Sequence, residues 1–102
     1  IRPMMYEAYH HIQNISNENA TERIYTVVGN ICETDTFAWD RKITEVREGD
    51  YLVFYNAGAY GFEMSSNFNS RLKPAEVLVE NGEAKLIRQR DVFEDLLRNQ
   101  VL

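Results

Sequence analysis

Asn81-Gly82 stands between two short apolar runs, residues 75–79 and 84–87. Asn-Gly suits the two left-handed positions of a tight hairpin turn, so this dipeptide commits the chain to at least one antiparallel strand pair. Similar punctuation recurs upstream. Tyr51-Leu52-Val53-Phe54-Tyr55 is the most strand-like run, preceded by a Glu48-Gly49-Asp50 turn and followed by Asn56-Ala57-Gly58-Ala59-Tyr60-Gly61. Its continuous apolar character predicts a strand covered on both faces. Residues 23–31 form a β-branched run that Gly29-Asn30 bends, ending beside the only cysteine, Cys32, and the acid Glu33.

Residues 9–15 alternate so that His10, Ile12 and Asn14 share one face of a strand. His10 and His11 then point to opposite faces, which makes them a poor metal pair. The polar stretch 16–22 reads as an exposed hairpin loop. Residues 36–44 mix Phe37, Trp39 and Ile43 with Asp40, Arg41 and Lys42 and read as a loop with anchoring aromatics, Trp39 being a core plug or an interface residue. Residues 64–71 are too rich in hydroxyls and amides for a core strand. Asp91 is placed as an N-cap with Glu94 in the capping-box position. Val92, Phe93, Leu96, Leu97 and Val101 would stripe one helix that packs on its own sheet. The expected fold is mainly β: a Greek-key barrel or sandwich of six or more short strands, closed by a C-terminal amphipathic helix.

At 102 residues the chain reads as one domain. A net charge of −5 argues against a nucleic-acid surface. One cysteine excludes an internal disulfide and fits a reducing, cytoplasmic setting. No apolar run suits a membrane span and no signal peptide is visible. The start at Ile1 rather than methionine suggests a piece of a longer protein.

From residue chemistry alone the candidate site stays open. Cys32 is a small buried apolar residue or a reagent. Arg2 is a solvated terminal charge or a ligand-facing cation, four residues from Tyr6 and so on the same side of a helical turn. Tyr60, between two glycines, is either packed in a tight turn or free to reach out with its hydroxyl.

Four pieces in order decide among these. They are Arg2-Pro3-Met4-Met5-Tyr6 with Ala8-Tyr9-His10-His11-Ile12; Val28-Gly29-Asn30-Ile31-Cys32-Glu33; Glu48-Gly49-Asp50 leading to Asn56-Ala57-Gly58-Ala59-Tyr60-Gly61; and Met64-Ser65-Ser66-Asn67-Phe68-Asn69-Ser70-Arg71 with Pro74-Ala75-Glu76-Val77. Together they resemble the C-terminal β domain of the diaminopimelate decarboxylase family, pyridoxal-phosphate enzymes with an additional N-terminal barrel domain. The resemblance covers nearly the whole chain. It departs at one turn: the family's usual Cys-Glu-Ser-Gly-Asp is here Cys32-Glu33-Thr34-Asp35, one residue shorter and without glycine.

The resemblance implies that residues 1–102 are one β domain of a two-domain enzyme that turns meso-diaminopimelate into lysine. Pyridoxal phosphate would be held mainly by the barrel, which carries the cofactor lysine, so this piece alone should be inactive. Active sites would form across a homodimer. Cys32 would be the proton donor, Arg2, Tyr6 and Glu33 would bind substrate, and Tyr60 would touch both cofactor and substrate. Sister enzymes acting on carboxynorspermidine, ornithine or arginine share the fold, and a homologue that only dimerises or a free-standing β module are further alternatives. The longer Glu33 in place of the aspartate usual in the ornithine enzymes, with Arg2 and Tyr6, favours diaminopimelate.

Overall fold

Alternation along the first strand sets the centre of the N-terminal half. In the computed structural model, which describes residues 9–30 and 36–101 and only the backbone of Tyr60, His10, Ile12 and Asn14 are buried on one face while His11 is exposed. Strand β1 (Ile12–Asn14) pairs antiparallel with the strand at Leu52–Phe54, with Ile12 opposite Phe54 and Asn14 opposite Leu52. Between them in sequence lie β2 (Glu22–Val28) and β3 (Thr36–Thr44), which pair with each other, so Leu52–Phe54 is β4. The 16–22 stretch is thus an exposed connection but not a hairpin: its flanking strands belong to different sheets.

The two small sheets share one core. Ile12 from β1 meets Ala38 and Ile43 from β3, and Tyr25, Val27, Val46, Leu52 and Phe54 pack around them. Phe37 sets its ring edge-on to Phe54, centroids 4.8 Å apart, a favourable aromatic geometry. All three residues of β4 are half-buried, as its apolar run suggests, but the flanking Tyr51 is exposed.

Residues 36–44 are a nine-residue strand rather than the expected loop. The register of β2 against β3 slips between Tyr25 and Val27 and again between Val27 and Val28, and Asp40 takes a positive φ of 49°. Each slip is an extra residue on β3. The buried set consequently jumps from Thr36 and Ala38 to Ile43. Trp39 lies on the outer side and is exposed.

One polar side chain sits at the heart of this half. Asn14 is 1% exposed. Its Nδ2 donates to the Glu45 carbonyl at 3.1 Å, the Thr44 carbonyl at 3.5 Å and Asp50 Oδ2 at 3.1 Å, and its Oδ1 accepts from the Ser16 N–H at 3.0 Å. These bonds tie β1 to the end of β3 and to the turn before β4. In that turn Gly49 has φ +91°, a conformation that strains any L side chain. Asp50 closes the turn by accepting from the Arg47 N–H at 2.9 Å. That bond first, and the Asn14 amide second, hold the Asp50 carboxyl below the usual carboxylate range.

Asn14→Ala is therefore expected to destabilise the fold by about 2–3 kcal/mol, because it strands several buried partners at once. Denaturant unfolding of the full-length protein reads this, and a midpoint unchanged from the parent would show that water replaces the hub. The lowered Asp50 pKa has a defined sign. Its contribution is present above the unfolded carboxylate pKa of about 3.9 and is lost as pH falls through the lower folded value. Asn14→Ala should weaken this acid-side loss.

The chain divides into two compact units, Ile1–Met64 and Ser65–Leu102. The second holds β5 (Glu76–Glu80) and β6 (Glu83–Arg88), a hairpin with Glu80 opposite Glu83. Its turn residues Asn81 and Gly82 have φ 52° and 76°, the left-handed pair that the dipeptide predicts. Helix α1 (Phe93–Leu97) is a short helix of five residues. Asp91 does not cap it. Instead, Asp91 Oδ2 accepts from the Lys73 N–H and the Asn67 amide, both at 3.0 Å, and these bonds hold its carboxyl low. The helix begins after Val92, whose N–H donates to Asp95 Oδ2 at 2.8 Å. Asp95 thus fills the role expected of Glu94.

The stripe expected to pack on the sheet is largely open: Phe93 is 64% and Val101 97% exposed. Val79, Leu86 and Ile87 of the hairpin are exposed as well. A two-stranded sheet and a single short helix offer too little apolar area to bury one another. The architecture of the described residues is thus mainly β, six strands and one short α-helix, with no closed barrel among them.

Candidate active site

The site expected from the sequence draws on three stretches. Arg2 and Tyr6, and Cys32 and Glu33, lie outside the described residues. What the structure describes is the chain that follows the first stretch, from Tyr9 on, and that flanks the second on both sides. Val28 at the end of β2 pairs with Thr36 at the start of β3. Cys32 and Glu33 follow the first of these strands and precede the second in the sequence. The strand before them ends at Val28, short of the expected Ile31.

Tyr60 lies in the third stretch. After β4 the chain turns at Asn56, φ 54°, and enters one wide helical turn, Gly58–Phe62. The Phe62 N–H donates to the Ala57 carbonyl at 3.0 Å and the Glu63 N–H to the Gly58 carbonyl at 2.9 Å, each a five-residue step. Such π-type turns are rare and recur at functional sites. A Cβ built on Gly61 would come within 3.0 Å of the Ala57 Cβ, so the narrow side of the turn leaves little room for a side chain. At Gly58 a Cβ would meet nothing within 4 Å. The backbone at Gly58 thus has open space beside it.

The start of this turn is held firmly. The Tyr55 N–H donates to the His11 carbonyl at 2.8 Å. The His10 ring nitrogen Nδ1 lies 3.2 Å from the Tyr55 carbonyl, and since a carbonyl only accepts, Nδ1 carries the proton. The Tyr55 hydroxyl donates to the Gln13 amide oxygen, and its ring lies tilted on His11, centroids 5.2 Å apart. Arg41 on β3 completes the cluster. Its Nη1 donates to the His10 carbonyl at 2.7 Å, and its guanidinium stands 4.1 Å over the Tyr9 ring, a cation–π contact. Arg41 and Tyr55 escaped sequence reasoning because nothing local marks two residues, distant in sequence, that each bond to His10.

A cavity of about 150 Å³ opens between β1 and β3, lined among others by His11, Gln13, Glu18, Glu22 and Lys42. Among the described residues no group of three or more His, Cys, Asp or Glu side chains could hold a metal ion. No helix among them is long and apolar enough to cross a membrane.

Comparison with known proteins gives concordant matches. Residues 1–58 match the family described as pyridoxal-dependent decarboxylase, C-terminal sheet domain. The diaminopimelate decarboxylase of Methanothermobacter thermautotrophicus is 50% identical over 103 residues, covering 98% of this chain and 24% of the relative. That of Aquifex aeolicus is 52% identical over 95 residues, covering 92% of this chain and 23% of the relative. Among solved structures, the diaminopimelate decarboxylase of M. jannaschii in co-complex with L-lysine superposes with a TM-score of 0.89 at 39% identity, over 99% of this chain and 23% of that one. The chain thus spans about a quarter of the length of these relatives.

Proposed function

The chain belongs to the pyridoxal-dependent decarboxylase family, through that family's C-terminal sheet domain, and on that premise we propose that it is the sheet domain of a diaminopimelate decarboxylase. The full-length enzyme would convert meso-2,6-diaminopimelate to L-lysine and carbon dioxide in the cytoplasm. The observation that carries this reading is the 50% identity to a diaminopimelate decarboxylase along 98% of the chain. Residues 1–102 would form one of two domains, and the enzyme would work as a homodimer in which each sheet domain completes its partner's site.

Pyridoxal phosphate, when bound, supplies an electron sink that lets a carboxyl group leave the substrate. The open backbone at Gly58 fits the approach of such a bulky group. Tyr60, in the same turn, would offer its hydroxyl to both cofactor and substrate. The carbon that has lost carbon dioxide must then take up a proton. Cys32 is suited to provide it: a thiol with a reference pKa of about 8.5 keeps its proton at neutral pH yet can give it up.

The far end of diaminopimelate carries an ammonium and a carboxylate. Glu33 would pair with the ammonium. Arg2, with Tyr6 beside it, would hold the carboxylate, since a guanidinium can place two parallel hydrogen bonds on it. Ornithine lacks that carboxylate and leaves Arg2 without a partner.

Side-by-side turnover on diaminopimelate, ornithine, arginine and carboxynorspermidine tests the reading on the full-length enzyme. The expected result is a clear preference for diaminopimelate. Faster turnover of any of the other three would assign the protein to a sister decarboxylase.

A further inference from the structure

We propose that His10 is a positioning residue for the Tyr60-bearing turn, acting through a relay that runs from Arg41 to His10 to Tyr55. The proposal rests on the functional reading above, because it takes the Gly58–Phe62 turn to be part of the site. The relay itself is drawn wholly from described residues.

Three features carry it. First, the links are directional. Arg41 Nη1 donates to the His10 carbonyl at 2.7 Å, and His10 Nδ1 donates to the Tyr55 carbonyl at 3.2 Å. Tyr55 is followed by Asn56 in a left-handed conformation and then by the turn. A shift of the Tyr55 carbonyl therefore changes where the turn begins.

Second, space-filling does not explain an imidazole here. His10 is buried, and its Nε2 meets no hydrogen-bond partner among the described residues. A buried polar atom without a partner costs free energy that an apolar side chain would avoid. The Nδ1 bond is what the imidazole adds over leucine.

Third, the relay joins segments that sequence alone separates. β3 follows the Cys32-Glu33 stretch, Tyr9 and His10 follow the Arg2 and Tyr6 stretch, and Tyr55 precedes Tyr60. Arg41 grips the second segment twice, by its hydrogen bond and by its place 4.1 Å over Tyr9. Backbone anchors of this kind matter because catalysis is sensitive to sub-ångström placement.

The test uses the full-length enzyme with its cofactor bound. His10→Leu is expected to lower kcat/KM by roughly ten- to a hundredfold. His10→Asn, whose amide can donate where Nδ1 does, should restore most of that loss. Amide exchange at Gly61, Phe62 and Glu63 should quicken about fivefold in His10→Leu, the effect of one net hydrogen bond, while the β5–β6 hairpin stays unchanged. If His10→Leu fails to fold, Arg41→Gln breaks the relay one step earlier without emptying a buried position and should move both readouts in the same direction.

Tyr60→Phe separates the two levels of the argument. Impaired Tyr60→Phe with parental kcat/KM in His10→Leu, or unchanged exchange in the turn, overturns the relay alone. Equal losses in His10→Leu and His10→Asn also overturn it, since packing would then be the cause. Parental turnover in Tyr60→Phe removes the turn from the site and the relay's role with it.

Discussion

Cys32→Ala in the full-length enzyme is expected to lower kcat by about 10²- to 10⁴-fold, the usual contribution of a positioned proton donor, while the bound cofactor keeps its visible spectrum. Loss of carbon dioxide leaves a carbon that needs a proton from a definite direction. Alanine removes the thiol without adding bulk, so binding should persist while protonation slows. Cys32→Ser is a useful companion, because a hydroxyl holds its proton far more tightly than a thiol and should rescue little. Parental turnover in Cys32→Ala would exclude Cys32 as the donor.

The second large effect belongs to Glu33. Glu33→Gln keeps the shape of the side chain and removes its charge, so the substrate's distal ammonium would lose its anionic partner. Breaking one side of a desolvated charge pair costs about 2–5 kcal/mol. The loss should appear in KM for diaminopimelate. An unchanged KM would place Glu33 outside the binding site, whatever kcat does.

The parts of the fold legible in the sequence are those with a local physical cause. Period-two alternation puts His10, Ile12 and Asn14 on one face, and the fold buries all three. Asn81-Gly82 marked the hairpin because its two left-handed residues are a property of the dipeptide itself. Residues 36–44 were misread because the strand is bulged. Slipped register moves the buried face from Ala38 to Ile43, and Asp40-Arg41-Lys42 between them look like a solvated loop. Strand partners were hidden for a different reason. β1 pairs with β4, nearly forty residues on, and no neighbouring residue encodes that choice. Asp91 has the composition of a cap but is taken by Lys73 and Asn67.

The candidate site divides in the same way. Cys32, Glu33, Arg2, Tyr6 and Tyr60 stand out as residue types in an ordered set of motifs. Their support does not. Arg41, His10 and Tyr55 come together only once separate sheets are built, and a lone arginine in a charged run gives no sign of what it will hold.

The exposed hairpin of the second unit has a practical side. A two-stranded ribbon with Val79, Leu86 and Ile87 exposed and no third strand beside it among the described residues is adhesive. Residues 1–102 produced by themselves would carry that ribbon with the exposure its apolar side chains have here. Protein concentration then becomes a variable in any study of the piece, and an association seen there reports on the ribbon before it reports on how whole subunits meet.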